Sequence, residues 1–252
     1  MNSWSWPFSH YYAALGRDFV QPVAPSKVKA PRLLQVNRTL QSELAIAATD
    51  EALTAVLSGN SVPEGALPVA SVYAGHQFGQ FSPRLGDGRA ILLGELVSAW
   101  GLQEVQLKGA GITPFSRGGD GRAALGPALR EYLMSSAMQA LGVPTTRALA
   151  VVATGQPVYR ETPLPGAIVT RVASSHVRVG TFEYFARTGQ HAQVKTLANF
   201  VINRHYPELC DDANPYLALL QAVADRQAKL VVKWMQFGLS LIHISEPTRR
   251  HL

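Results

Sequence analysis

The stretch VQLKGAGITPFSRGGDGR, residues 105–122, brings together three residue types that hold phosphate groups. Lys108 ends an apolar run, several glycines follow it, and Arg117 and Arg122 add two guanidinium groups. Lysine and arginine neutralise phosphate oxygens, and glycine allows backbone N–H groups to approach them. The residues alone leave two interpretations open: a nucleotide site, or a polar loop that follows a strand.

Three further features have the residue types of an anion site, and each also has an ordinary explanation. LGDGRA, residues 85–90, could bind phosphate through its backbone, although Asp-Gly is also the commonest hairpin turn. Arg171 and Arg178 could clamp phosphate oxygens or lie on the surface. His76, between glycine and aromatic residues, is interpreted as structural rather than catalytic.

Lys108 has a possible partner in Glu131, which lies on the next predicted helix. In kinase-like sites a lysine on a strand pairs with nucleotide phosphates and with a glutamate on the following helix. The alternative is that both side chains are solvated, as most lysines and glutamates are. Spacing alone does not decide between these interpretations.

Composition limits the class of protein. The 252 residues suffice for one large or two small domains, and a hydrophobic fraction of 47% provides a sizeable core. The 23 basic and 17 acidic residues give a net charge of +6, which modestly favours an anionic ligand. Because no basic run exceeds two residues, we expect no nucleic-acid partner.

Cysteine content and hydropathy favour a cytoplasmic protein. Cys210 is the only cysteine, which fits a reducing compartment. The N-terminus lacks the basic and apolar regions of a secretory signal, and no apolar run approaches the roughly 20 residues of a membrane span. We therefore expect no membrane partner, and the sequence does not indicate an oligomeric state.

The pattern of elements predicts an α+β fold with a largely antiparallel sheet. Residues 1–45 mix aromatic residues with prolines and are interpreted as an irregular arm that wraps the fold. The predicted strands are 88–96, 104–111, 148–153, 156–161 and 166–173. The predicted helices are 49–57, 127–142, 181–204 and 215–237.

Helix 127–142 begins with Pro127 and is followed by Gly142, which suit the first helical position and the C′ position. Its spacing predicts that Glu131 points away from the apolar face. That face is predicted to consist of Leu125, Leu129, Tyr132, Leu133, Ser136 and Ala140.

Familiar enzyme motifs are absent. The sequence has no Walker A lysine motif, no zincin H-E-x-x-H and no G-x-S-x-G nucleophile elbow. GAGITP fails the dinucleotide pattern because Pro114 stands where the last glycine would be. A single cysteine and scattered histidines do not form a metal cluster.

Taken together, six segments resemble the selenoprotein O family, the SelO or YdiU-type protein adenylyltransferases. The resemblance runs in order from about residue 20 to about residue 238. The segments are YAGHQFGQF (73–81), LGDGRAILLGE (85–95), QLKGAGITPFSRGGDGRAALGPALREYLMSSAM (106–138), GVPTTRAL (142–149), PVYRE (157–161) and RVASSHVRVGTFEYF (171–185).

This resemblance implies a protein-kinase-like (pseudokinase) fold that binds ATP in a flipped orientation. It also implies transfer of AMP to Ser, Thr or Tyr hydroxyls of protein substrates, with Mg²⁺ or Mn²⁺ as the metal. Carried over to this sequence, the nucleotide-binding residues are Gly86, Gly88, Arg89, Lys108, Asp120, Gly121, Glu131, Arg171 and Arg178. A nucleotide-binding pseudokinase module without catalysis, or a fragment without function, is the alternative.

The sequence departs from the family after Gly238. There the family continues with a histidine-glycine stretch and a T-D-N motif that supply the base and the metal ligands, whereas LSLIHISEPTRRHL (239–252) matches none of this. We therefore expect the catalytic base and the metal ligands to lie beyond residue 238, and this chain to be inactive alone. Ser136 is a smaller departure, since many relatives have Glu there.

The domain organisation expected from the resemblance has four parts. They are an N-terminal arm with a short helix (1–67), a kinase-like N-lobe (68–180), the start of a helical C-lobe (181–238) and an unrelated tail from a frameshift or cloning junction (239–252).

Overall fold

The structure is a computed structural model, and it describes residues 6–77 and 79–239. Its ten strands in these residues are β1 Val20–Pro22, β2 Arg32–Val36, β3 Val69–Ser71, β4 Gly75–Gln77, β5 Gln80–Ser82, β6 Ala90–Ser98, β7 Gly101–Lys108, β8 Ala123–Ala124, β9 Arg147–Tyr159 and β10 Pro163–Ala173. Its helices are α1 Arg38–Glu43, α2 Asp50–Leu57, α3 Leu125–Ala140, α4 Val179–Arg187, α5 His191–His205 and α6 Pro215–Gln236.

A single eight-stranded sheet organises the described residues. Its order is β1-β3-β6-β7-β10-β9-β2, with β8 paired to β10, and its strand pairs are antiparallel. β4 and β5 form a separate hairpin. The predicted α+β class with a largely antiparallel sheet is thereby confirmed.

Residue alternation gives the sheet two distinct faces. On β7, Val105 and Leu107 point into a core shared with α1 and α2. The opposite face packs Val169 of β10 against Ala128 and Tyr132 of α3. Gln106 and Lys108 alternate with Val105 and Leu107, so they lie on the α3 face.

Within residues 6–45 the N-terminal arm contains two strands and a short helix, so it is more regular than predicted. β1 and β2, both within it, form the two outer strands of the sheet, and β1 pairs with β3 across the expected boundary at residue 67. These strands are three and five residues long. Strands that short carry too little periodicity to be recognised from sequence.

Two predicted element boundaries were also wrong, and glycine conformation explains both. The strands predicted at 148–153 and 156–161 are one strand, β9, in which Gly155 adopts φ +67° beside a register shift in the pairing with β10. The helix predicted at 181–204 is divided into α4 and α5 near Gly189, which adopts φ +71°. A glycine at positive φ allows a bulge in the first case and ends a helix in the second.

α3 is rotated relative to the predicted apolar face. Its buried residues are Ala128, Tyr132 and Ser135, whereas Leu133 is 62% exposed. Glu131 follows Ala128 by three positions and therefore lies beside the buried face, not opposite it. This difference turns Glu131 towards the sheet.

Among the described residues, none of the helices is both long enough and apolar enough to cross a membrane.

Candidate functional site: a basic cluster between the sheet and α3

Lys108 and Glu131 form an ion pair between the end of β7 and α3. Alternation along β7 directs Lys108 to the α3 face, and the rotation of α3 brings Glu131 to meet it. Their side chains are 31% and 25% exposed, so the pair is partly open to solvent. A lysine held in this way keeps its ammonium in one place while it remains accessible to an anion.

Arg171 adds a second cation to this cluster. It lies on β10 directly opposite Gln106 of β7, and its Nη2 donates a hydrogen bond to the Gln106 side chain. Its Nε is 3.6 Å from Oε1 of Glu131, and the side chain is only 14% exposed. Burial lowers the pKa of the Arg171 guanidinium, while the carboxylates of Glu131 and Asp87 oppose that shift.

Arg178 precedes α4 and is exposed. Its guanidinium carbon lies 5.0 Å from the ring centre of Tyr73, which is cation–π geometry. Arg178 is also close enough to Arg171 for its charge to contribute to the lowered Arg171 pKa. The two arginines predicted as a pair therefore lie in one electrostatic neighbourhood.

Gly86 and Gly88 allow close packing of the loop before β6. A side chain at Gly86, which has φ +56°, would place a Cβ 2.3 Å from the Phe115 ring, and one at Gly88 would lie 2.8 Å from the Phe115 carbonyl oxygen. The N–H groups of Gly86 and Gly88 donate to the carbonyls of Tyr73 and Gly86. Both N–H groups thus donate within the protein in this structure, and a contact between this loop and phosphates stays a prediction.

Asp120 and Gly121 lie in the loop before β8. Asp120 accepts hydrogen bonds from Arg160 at 2.8 and 3.1 Å and from the Arg122 N–H at 2.9 Å. The bonds from Arg160 hold the pKa of the Asp120 carboxyl below its ordinary value. Gly121 has φ +64°, and its backbone contacts Gly111 so closely that a Cβ would lie 1.9 Å from the Gly111 oxygen.

The remaining predicted basic residues have different surroundings. Arg122 donates to the carbonyls of Ser26 and Lys27, and Arg117 donates to the Leu85 carbonyl, so both tie loops together. Arg89 is exposed and contributes to the lowered pKa of Asp120.

His76 lies on the β4–β5 hairpin, with its ring centre 5.2 Å from that of Phe81. Among the described residues, the His76 side chain forms no hydrogen bond or ion pair.

Three residues that sequence reasoning missed connect the cluster. Asp87, Gln106 and Tyr73 form a chain of hydrogen bonds behind Arg171 and Arg178. Asp87 was hidden within a turn-like Asp-Gly pair. Gln106 carried a usable signal, because it alternates onto the same face as Lys108 within a buried strand.

The arrangement is suited to holding an extended anion. Lys108 and Arg171 face Glu131, and Arg178 adds a cation on the Tyr73 side, so positive charge exceeds negative charge on the exposed side of the cluster. Across residues 6–77 and 79–239, no group of three or more His, Cys, Asp or Glu residues is placed to hold a metal ion. The described residues therefore do not fit a protein-bound metal by themselves.

Comparison with known proteins agrees with the resemblance in the motifs. The family model described as "Protein adenylyltransferase SelO" matches residues 4–242. This chain belongs to the SelO family. The match covers the sheet, α3 and all the helices of the described residues.

Curated SelO relatives are similar over nearly the whole chain. The protein nucleotidyltransferase YdiU of Rhizobium meliloti is 61% identical over 236 residues, which is 92% of this chain and 48% of the relative. Proteins of the same name from Rhizobium rhizogenes and Maridesulfovibrio salexigens are 58% and 55% identical, each over 92% of this chain and 47% and 48% of the relative. The chain thus spans about half the length of the curated SelO relatives it matches.

Proposed function

We propose that this chain is the nucleotide-binding part of a protein adenylyltransferase that transfers AMP from ATP to Ser, Thr or Tyr hydroxyls of protein substrates. The observation that carries the proposal is the Lys108–Glu131 ion pair with Arg171 beside it. A strand lysine paired with a helix glutamate is the phosphate-holding arrangement of kinase-like sites. The description of the family and the names of the relatives support the nucleotidyl-transfer chemistry.

In this proposal the fold is protein-kinase-like. β6, β7 and β10, with α3 packed across them, form the lobe that grips the nucleotide, and α4 to α6 begin the helical lobe. The cofactor-binding residues are those predicted from the resemblance: Gly86, Gly88, Arg89, Lys108, Asp120, Gly121, Glu131, Arg171 and Arg178. The two glycines act by packing the loop against Phe115, and the cations act on the phosphates.

The reaction is attack of a substrate hydroxyl oxygen on the α-phosphorus of ATP. A new P–O bond forms to the substrate, the bond between the α-phosphorus and the bridging oxygen breaks, and pyrophosphate leaves. Such a displacement depends on positioning and on neutralisation of charge. Lys108, Arg171 and Arg178 would orient the phosphates, and Glu131 would hold the lysine in place.

Two components are expected beyond residue 238. One is the base that accepts the hydroxyl proton, and the other is the set of ligands for Mg²⁺ or Mn²⁺. When bound, the metal neutralises phosphate charge. The prediction of an unrelated tail at 239–252 falls almost entirely on residues outside those the structure describes.

Labelled ATP tests the proposed function. Residues 1–238 are joined to the matching C-terminal half of the Rhizobium meliloti relative and incubated with a protein mixture and with ATP labelled at either the α- or the γ-phosphate. We expect label to enter protein only from the α position. Label from the γ position would indicate phosphoryl transfer, and ATP binding without any label would indicate a pseudokinase module that acts by binding.

A further inference from the structure

Asp87 is a buried carboxylate that three donors hold in place. Asp87 is only 4% exposed. Oδ2 accepts from the Ser71 N–H at 3.2 Å and from the Gln106 side chain at 3.1 Å, and Oδ1 accepts from the Tyr73 hydroxyl at 3.3 Å. Burying a carboxylate is costly unless hydrogen bonds or nearby cations compensate it. The three donors therefore indicate a structural role for Asp87 beyond forming a turn.

The first branch from Asp87 leads to Arg171 through Gln106. A carboxylate accepts hydrogen bonds and donates none, so the Gln106 amide must turn its NH₂ group towards Asp87. The amide oxygen then necessarily points the other way, and it accepts from Nη2 of Arg171. Asp87 thus determines the orientation of the fully buried Gln106 amide, and that amide determines where the guanidinium lies.

The second branch leads to Arg178 through Tyr73. The Tyr73 hydroxyl donates to Asp87, and burial together with the Asp87 charge raises the pKa of Tyr73 to about 12, so the hydroxyl stays protonated as a donor. This bond holds the hydroxyl end of the ring beside Asp87. Arg178 lies against that ring with its guanidinium carbon 5.0 Å from the ring centre.

We infer that Asp87 is a positioning residue that sets both phosphate-facing arginines at once, Arg171 through Gln106 and Arg178 through Tyr73. The inference rests on the proposed function, because it takes ATP phosphates as the anion that the arginines meet. One buried anion behind two cations also lowers the cost of keeping Arg171 desolvated. Lys108 is held by Glu131, whose Oε1 also lies 3.6 Å from Nε of Arg171.

The test breaks one branch at a time in the full chain. Gln106→Met keeps the side-chain length and removes the amide, and Tyr73→Leu removes the ring and the hydroxyl. The matched control is Gln103→Met, because Gln103 is a buried residue of the same strand on the opposite face. Affinities for ATP and for adenosine are measured by calorimetric titration, together with the thermal midpoint of each variant.

We expect Gln106→Met and Tyr73→Leu each to weaken ATP binding roughly tenfold, as expected for loss of a hydrogen bond or contact that orients a charged group. Adenosine affinity should stay unchanged, because adenosine has no phosphate for the arginines to meet. Gln103→Met should change neither affinity. ATP affinity equal to wild type in Gln106→Met, or an equal loss for adenosine, would overturn the inference.

A second readout separates this inference from the proposed function. In ¹⁵N-resolved NMR spectra without nucleotide, the Arg171 Nη2–H signal, assigned through Arg171→Lys, should be resolved and shifted from the free-arginine position, because Nη2 is the atom that donates to Gln106. It should move to the free-arginine position in Gln106→Met and in Asp87→Asn, and stay in place in Gln103→Met. If wild type fails to bind ATP, the proposed function fails while this signal still decides whether Asp87 and Gln106 position Arg171. An Arg171 signal unchanged in Gln106→Met contradicts the positioning role.

Discussion

The sheet that carries Lys108 and the last helix, α6, differ in how far other residues cover their apolar surface. On β7 the residues Val105 and Leu107 are fully buried beneath α1 and α2. In the 22 residues of α6, only Leu219 is buried, and Leu220 is 66% exposed. The contacts that shape the candidate site come from the sheet, α3 and the loops that carry Tyr73, Asp87 and Arg178, whereas α6 lies outside these contacts.

Beside α6 lies an apolar groove of about 830 Å³. Its lining from α4, α5 and α6 includes Phe182, Val194, Tyr216, Leu220 and Val223. α5 packs against α6, and its Arg204 reaches buried carboxylates of the sheet. The comparison thus predicts that mutations will have large effects at the sheet and its junction with α5, and small effects on α6.

Arg204→Met should have the largest effect on stability. The Arg204 guanidinium lies 3.0 Å from Oε1 of Glu95 and 3.7 Å from Oε1 of Glu104, and both carboxylates are buried. Removing the cation leaves two buried charges without it, at a cost of about 3–5 kcal/mol. Urea denaturation measures the loss.

The matched control for this variant is Arg226→Met. Arg226 is an exposed α6 arginine that stacks on Tyr206. Its replacement should change the free energy of unfolding by no more than about 0.5 kcal/mol. Equal losses in the two variants would contradict the proposed junction between α5 and the sheet.

Leu107→Ala and Leu220→Ala compare the same substitution in the two regions. Leu107 is fully buried, so its truncation should cost about 2–5 kcal/mol through lost burial and a cavity. Leu220 is mostly exposed and should cost less than about 1 kcal/mol. Urea denaturation measures both losses, from the shift of the midpoint when the dependence of the unfolding free energy on urea concentration is unchanged. A larger loss at Leu220 would show that α6 is covered in solution.

The stability of the junction should also depend on pH through His205, with a smaller effect than the substitutions above. Burial, and next the charge of Arg204, lowers the pKa of His205 to about 4 from 6.5. Between these values the unfolded chain binds the additional proton, so stability should fall as the pH decreases from 6.5 to about 4. The difference in unfolding free energy between wild type and His205→Gln should therefore decrease as the pH falls over this range.

The slope of the unfolding free energy against pH is compared between wild type and His205→Gln. A His205→Gln variant with the wild-type slope would show that His205 is protonated equally in both states.

The residues of the site differ in how far local sequence could predict them. Lys108 was identifiable because a lysine ends an apolar strand and a helix with Glu131 follows. The direction in which Glu131 faces could not be predicted from sequence, since small residues such as Ala148 and Ala167 allow α3 to pack with Ala128 against the sheet. That rotation is a property of packing between elements rather than of helix periodicity.

Long-range pairing explains the other differences. The outer strands β1 and β2 are short, and they become strands because β3 and β9 pair with them. The role of Asp87 was not predicted from sequence, because its partners, Tyr73 and Gln106, come from other segments. The α+β class required only the pattern of apolar runs and helices, and it was predictable.

The most direct test of the nucleotide site is titration of ATP into the wild-type chain and the Lys108→Ala variant, with the exposed Lys229→Ala as control. Lys108→Ala should weaken ATP binding at least tenfold, as expected for loss of a charged hydrogen bond. Its stability should change by less than about 1 kcal/mol, because the ion pair is partly exposed. ATP affinity equal in Lys108→Ala and wild type would contradict the assignment of this cluster as the phosphate site.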